Sequence, residues 1–302
     1  MTDITIGPPL TATAAADEAP ATKVRGYWGT VAYRLRYDYL TLFFALVIVV
    51  IALSAIAAPL IAPFDPNKTS MAFRLKPIGF RNFLLGTDEL GRDMLSRLLH
   101  GGRMSLMMGL LPVLFAVVIG GTLGVVAGFV GGRLNMLIMR VMDIFYAFPS
   151  VLLAVAISGM MGGGMLNGLL ALTLVFIPPL CRVAETATTQ VRNLDFVEAA
   201  RASGAPTWSL IVHHVLGNVL GPVFIYASSL FSVSILLAAG LSFLGLGVEP
   251  PTPDWGLMLS TLRQAIYVQP LVCALPGVMI FITSLSFNLV SDGLRQAMDV
   301  RL

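Results

Sequence analysis

Six apolar runs constrain this chain more than any other feature. They lie near residues 39–61, 104–130, 136–160, 166–184, 219–245 and 270–291. Each approaches the roughly 20 residues that a helix needs to cross about 30 Å of hydrocarbon. Inside a bilayer no water is available to the backbone, so each run must satisfy its own N–H and C=O groups as a helix. Charged residues make up only 12% of the 302, about half the share usual in soluble domains. The expected fold is an all-α membrane protein with about six transmembrane helices surrounded by lipid. A net charge of +3 gives no ground for a nucleic-acid partner.

The runs divide the chain. Residues 1–38 read as a polar tail, its first part disordered, ending in Lys23, Arg25, Arg34 and Arg36. Its apolar run starts too late and runs too long for a signal peptide. Residues 39–103 read as the first span and an extracytoplasmic segment, 104–292 as the membrane core, and 293–302 as a second tail. The basic N-terminus belongs in the cytoplasm by the positive-inside tendency, and six spans return the C-terminus there. The 62–103 segment runs against that count, with seven basic residues to four acidic ones.

One interior segment cannot sit in lipid: Asp195–Asn218, with Asp195, Glu198, Arg201, His213 and His214. Asp195 followed by Glu198 has the form of a capping box. Gly204 suits the left-handed residue that ends a helix, and Pro206 suits the first turn of the next. Trp208, Ile211, Val212 and Val215 then form an apolar stripe. The expectation is a capped hairpin of two short helices between two spans, and the plain alternative is an ordinary surface amphipathic helix.

Glu198-Ala199-Ala200, with Gly204 four residues on, resembles the EAA loop of type I ABC importer permeases. In that family the loop is a coupling helix that docks into a groove on a separate ATP-hydrolysing subunit. The resemblance assigns this role to Asp195, Glu198, Ala199, Ala200, Arg201, Ala202, Gly204 and Trp208, with the small alanines allowing close entry into a groove. Two further stretches are similar to the dipeptide, oligopeptide and nickel branch: Leu85-Gly86-Thr87-Asp88-Glu89-Leu90-Gly91-Arg92-Asp93 continuing to Ser105-Leu106, and Leu241-Ser242-Phe243-Leu244-Gly245-Leu246-Gly247 continuing to Trp255-Gly256. In the first, Gly86-Thr87-Asp88 reads as a turn with an N-cap, followed by a short amphipathic surface helix. Its charges serve either to brace the spans or to meet a binding protein. The Gly and Pro residues of the second predict a tightly folded or re-entrant segment.

Within the spans, Gly120, Gly124, Gly128 and Gly132 recur every four residues and are expected to let another helix approach closely. Arg140 and Asp143 stand three apart and are expected to pair near the cytoplasmic end of the third span. Tyr146-Ala147-Phe148-Pro149 matches the family, with Pro149 bending the helix. Tyr146, Pro149, Ser242 and Phe243 are the candidate path or gate residues. Pro112 is expected to kink the second span and Pro178-Pro179 to interrupt the fourth. Cys181 and Cys273 read as buried thiols. Gly217 replaces the family's usual Pro, which predicts a looser exit from the second coupling helix. Asn135 and Gln296 stand where Asp is common, and Ala238 and Ala239 stand where a Glu often occurs.

No phosphate-binding G-x-x-x-x-G-K-[ST] motif occurs, and His100, His213 and His214 have no ligand companions at metal spacing. No catalytic residue, metal site or cofactor is therefore assigned to this chain, and no enzyme activity. The resemblance implies a permease of a bacterial inner-membrane, ATP-driven importer with both termini cytoplasmic. It implies a second permease, two ATPase subunits holding ATP and Mg, and an extracytoplasmic solute-binding protein as partners. Di- or oligopeptides are the implied cargo class. A stand-alone secondary transporter or channel is the alternative, and such a protein would not need the polar hairpin.

Overall fold

The computed structural model describes residues 27–298. Lys23, Arg25 and the stretch expected to be disordered lie outside them. The end of the polar tail is helix: α1 (Tyr27–Tyr37) sets Val31 and Leu35 against Ala297, Met298 and Ile225. Asp38 then caps α2 (Tyr39–Ile56) by accepting from the Thr41 amide at 3.2 Å. After a break at Ala57, α3 (Ala58–Ile61) completes the first apolar run.

The next span is longer than expected. Helix α4 (Met94–Val130) has 37 residues, about 55 Å at 1.5 Å per residue. The separate surface helix expected before residue 104 does not exist, because those residues are the first turns of α4. Its cap is Asp93 rather than Asp88: the Asp93 carboxylate accepts from the Ser96 amide at 2.8 Å and the Ser96 hydroxyl at 2.6 Å. Asp88 instead sits in a buried charge cluster with Arg92 (2.6 Å) and Arg97 (3.3 Å), and Glu89 reaches Arg92 at 2.9 Å. Arg97 donates to the Pro66 carbonyl, and Arg103 to those of Ala55 and Ile56 at the end of α2. These charges brace the segment before α4 against the spans.

The third run is two helices. α5 (Gly132–Tyr146) and α6 (Ser150–Met161) meet at 88° across Ala147–Pro149. α7 (Met165–Val191) crosses without a break. Pro178 and Pro179 do not interrupt it, although they deprive the Leu174 and Val175 carbonyls of their helical donors. Packing rather than propensity keeps it continuous. A Cβ on Gly120, Gly124 or Gly128 of α4 would stand 2.7, 2.3 or 2.6 Å from the carbonyl oxygens of Ile177, Cys181 and Glu185 on α7. Gly132 lies outside this stripe, because α4 ends at Val130 and Gly131 turns the chain at φ 70°.

α8 (Asp195–Ala202) leads through a turn into α9 (Thr207–Ser209), a π-helical stretch at Leu210–Val215, and α10 (Leu216–Phe243). The last three form one helix, Thr207–Phe243. The expected second coupling helix is thus the start of the fifth span. Gly217 lies within it, so the looser exit expected there does not occur. α11 (Trp255–Leu262) is short and buried, and α12 (Pro270–Met298) runs five residues past Gly293, where a free tail was expected. Among the described residues, five helices are long and apolar enough to cross a membrane, six if the bent pair counts as one span. α10 and α12 are joined by serines: the Ser291 hydroxyl meets those of Ser228 and Ser229 at 2.9 and 2.7 Å, and Ser284 donates to the Ser232 carbonyl at 3.1 Å.

The two branch-specific stretches meet in one clasp. Asp254 caps α11, accepting from the amides of Gly256 and Leu257 at 3.0 and 3.1 Å and from the Ser105 hydroxyl of α4 at 2.6 Å. The Trp255 amide donates back to Ser105, and its indole N–H to the Leu98 carbonyl at 2.9 Å. Gly101 and Gly102 make room for that ring, and Gly256 rests on the Ala239 carbonyl, where a Cβ would stand 2.3 Å away. Burial pushes the Asp254 carboxyl up from its ordinary value, with the hydrogen bonds from Ser105 and the two amides pulling the other way. The segment is tightly folded as expected.

Two outcomes follow for stability, read as thermal unfolding of the purified protein in detergent. Gly124→Val forces a side chain into the α7 backbone and lowers stability by about 1–3 kcal/mol or more. Gly121→Ala, whose Cβ meets nothing within 4 Å, leaves the melting point unchanged. Asp254→Ala orphans buried donors and costs roughly 3 kcal/mol, whereas Asp254→Asn keeps an acceptor for the amides and costs less. Folding raises the proton affinity of Asp254. Its contribution is therefore greatest below the unfolded carboxylate range and falls as pH rises through the raised value. Asp254→Asn should flatten that part of the stability–pH curve.

Candidate functional site

The polar hairpin is built from its turn. α8 ends in a Schellman motif: the Gly204 amide donates to the Arg201 carbonyl at 3.0 Å and the Ala205 amide to Ala200 at 3.2 Å, with Gly204 at φ 81°. Nothing lies within 4 Å of a Cβ at Gly204, so glycine is required there by backbone conformation and not by space. The start of α8 differs from the expected capping box. Leu194 is the N-cap, and Asp195 and Glu198 fall inside the first turn with no side-chain cap. Two carboxylates there still complement the positive end of the helix dipole. Pro206 is the residue before the next helix rather than its first.

Val197 anchors α8, fully buried in the same core as Val215. Asp195, Glu198, Ala199, Arg201 and Ala202 are exposed, and Ala200 is half-buried. Leu194, Phe196 and Trp208 are exposed large apolar residues, Trp208 at 74%. The expected stripe thus splits: Val215 is buried, Ile211 and Val212 are partly so, and Trp208 points outward. The hairpin presents alanines among three large apolar side chains on a turn clamped to the core. Clustered exposed apolar residues rimmed by polar ones mark contact surfaces. The π-helical stretch behind it was not legible in the sequence. The Asn218 side chain takes up the His214 carbonyl there at 2.8 Å, and such bulges recur at functional sites.

The second place of interest is the broken span. A cavity of about 240 Å³ lies beside the 88° bend, lined by Phe145, Tyr146, Phe148, Pro178, Pro179 and Tyr226 among others. Tyr146 faces this cavity, and Pro149 is the residue that precedes α6 at the bend. Ser242 and Phe243 do not join them. Ser242 is buried, its hydroxyl accepting from the Val248 amide at 3.4 Å, and Gly247 packs against it. Phe243 lines a separate apolar hollow with Val151, Ala154 and Leu236.

Asp143 pairs with Arg182 of α7 rather than with Arg140, and the Arg182 guanidinium lies over the Tyr146 ring at 5.1 Å. The i,i+3 spacing on α5 suggested the local partner, but α7 packs across that face and supplies the nearer one. Arg182 lies nine residues before the end of α7, about 14 Å into it. Its charge was visible in the sequence, but its partner depends on how α5 and α7 pack. Asn135 donates to Glu185 at 2.6 Å, and Arg192 to the Gly128 carbonyl at 2.7 Å. These contacts tie the α4–α5 turn to α7.

A family model described as a binding-protein-dependent transport system inner membrane component matches residues 120–302. A second, the N-terminal TM domain of oligopeptide transport permease C, matches residues 26–77. The chain is 45% identical over 262 residues to the di/tripeptide transport system permease protein DppC of Pseudomonas aeruginosa, covering 85% of this chain and 86% of that one. It is 40% identical over 255 residues to the glutathione transport system permease protein GsiD of Pectobacterium atrosepticum, with 84% and 85% covered. Among solved structures, the MetNI methionine ABC transporter in an inward-facing conformation matches with a TM-score of 0.57 at 20% identity, over 68% of this chain and 98% of that one. At that identity it speaks for the fold alone. The hairpin, the bundle and these matches lead to one conclusion: the chain belongs to the binding-protein-dependent inner-membrane permeases of type I ABC importers, in their dipeptide and oligopeptide branch.

Proposed function

We propose that this permease carries di- or oligopeptides or a closely related small solute, and that α8 and the turn at Gly204 are its coupling element. The carrying observation is the hairpin: an exposed turn, fixed by a Schellman motif and anchored through Val197, continuous with a 37-residue helix into the bundle. A rigid connection of that kind can pass a displacement at its tip to the membrane helices. The names of the DppC and GsiD relatives support the solute class. Two ATPase subunits holding ATP and Mg grip the hairpins from the cytoplasm, where both termini also lie. A second, homologous permease completes the path, and a solute-binding protein delivers cargo from outside. ATP shifts the conformational balance through its greater affinity for the closed ATPase pair. Tyr146 and Pro149 flank the path at the broken span.

Reconstitution tests the whole reading. With the second permease, ATPase subunits and binding protein in vesicles, the chain gives ATP-dependent dipeptide uptake. Alone, it transports nothing under any ion gradient, and gradient-driven transport by the isolated chain would favour a secondary carrier. Gly204→Val imposes about 1–2 kcal/mol of left-handed strain and uncouples uptake while the protein still reaches the membrane, whereas Gly204→Asn retains uptake. Glu198 holds no cap, so Glu198→Ala leaves the fold intact, and any loss of uptake reports a contact with the ATPase. An impermeant thiol reagent, on a background lacking Cys181 and Cys273, must not label a cysteine at Ser209 from outside intact cells.

A further inference from the structure

The Arg182–Asp143 pair is unusual for its setting. Both residues lie within apolar helices, yet the side chains are 48% and 41% exposed. Asp143 is in the last turn of α5, beside the 88° bend, and Arg182 lies nine residues before the end of α7. Ionised groups facing hydrocarbon are strongly disfavoured. Their open side must therefore face an aqueous path or a partner. The pair also adjoins the cavity at the bend, because Tyr146, which lies under the guanidinium, lines that cavity. Pro178 and Pro179 line it too, one turn before Arg182.

We propose that Arg182 and Asp143 form a two-ended capture site for a solute carrying both a carboxylate and an ammonium group, Arg182 taking the carboxylate and Asp143 the ammonium. This rests on the peptide reading and specifies which part of a peptide is recognised: its two charged ends. The physical reason is charge balance. A neutral ion pair can open and close around a zwitterion with every charge still compensated. A solute with a single charge would leave Arg182 or Asp143 unpaired in a poorly solvated site, which is far more costly. The guanidinium presents a planar fork that suits a carboxylate, and its stacking on Tyr146 holds that fork in place. Val175, whose carbonyl Pro179 leaves without a helical donor, also lines the cavity and adds an acceptor for the ammonium end.

The test uses the full transporter in vesicles with radiolabelled alanyl-alanine, reading uptake and binding-protein-stimulated ATP hydrolysis together. Asp143→Asn keeps shape and an acceptor for Arg182 but loses the charge. The pair Asp143→Leu with Arg182→Met replaces the bridge by apolar packing, a change that a merely bracing ion pair tolerates. Asp143→Asn should lower uptake roughly tenfold to a hundredfold, the loss of one charge-assisted contact, and the double variant, which loses both, at least as much, with ATP hydrolysis retained in each. A photoreactive dipeptide should label the wild type near Tyr146 or Pro179 and fail to label Asp143→Asn. Normal uptake by either variant overturns the proposal. So does loss of assembly with the second permease in Asp143→Asn, since the pair would then be an interface contact. A wild-type transporter that carries other zwitterions but no dipeptide defeats only the peptide reading. One that carries no zwitterion defeats both.

Discussion

The fold depends on the approach of α4 to α7. Water drives helices together in soluble proteins, but lipid tails are as apolar as the side chains they would replace. Close packing must supply the attraction instead. Three glycines at four-residue spacing face three carbonyls at the same spacing, Ile177, Cys181 and Glu185, with no space for a methyl group between. Every other feature hangs on this pair. Because α7 is held along its length, it tolerates two consecutive prolines. Because α4 is held, its extension beyond the membrane can carry the Asp88 and Asp254 clusters. α10 then lies against both.

Polar groups are concentrated where the helices end, and their partners are mostly backbone. Arg103 and Arg192 each donate to carbonyls at a helix C-terminus, those of α2 and α4. Asp93 and Asp254 cap the starts of α4 and α11. These are the positions where a helix leaves amides or carbonyls without intrahelical partners. The same logic explains why the branch-specific stretches around Asp88 and Trp255 read as functional motifs in sequence yet resolve into structural clasps. The Arg182–Asp143 pair differs, because it joins two side chains, Arg182 within α7 and Asp143 of α5, and is half open.

Much of this was legible in the sequence, and the misses share one cause. Apolar runs fixed the spans because lipid imposes length and internal hydrogen bonding. The Gly204 turn was readable because a positive φ has a local residue signature. Register and continuity were not readable. Asp195 and Glu198 have the spacing of a capping box, but α8 begins one residue early, at Asp195, with Leu194 as its N-cap. Whether residues 207–218 form a separate helix or the foot of a span depends on how Val215 and Val219 pack, and no local signal encodes that. Pro178-Pro179 looked like a break because a proline's effect on an isolated helix is disruptive, and here α4 overrides it. Asp143 was matched to the neighbour in sequence because α7 was invisible.

The hairpin and the broken span sit at opposite ends of one mechanical chain. α8 is clamped to the helix Thr207–Phe243, which packs on α7 and α4, and Tyr226 of that helix lines the cavity beside the bend. A push at the hairpin therefore reaches the cavity through packed side chains without crossing a loop. Along that route the regular ladder is interrupted at Pro222 and at the π-helical stretch Leu210–Val215, which the Asn218 side chain braces. On the proposed reading that brace matters: a helix that bent there would absorb the displacement instead of passing it on. By contrast α5 and α6 meet at 88° with only Ala147, Phe148 and Pro149 between them, and both bury few residues. Compliance is thus placed at the cavity and stiffness between the cavity and the hairpin, the arrangement that a lever-driven path requires.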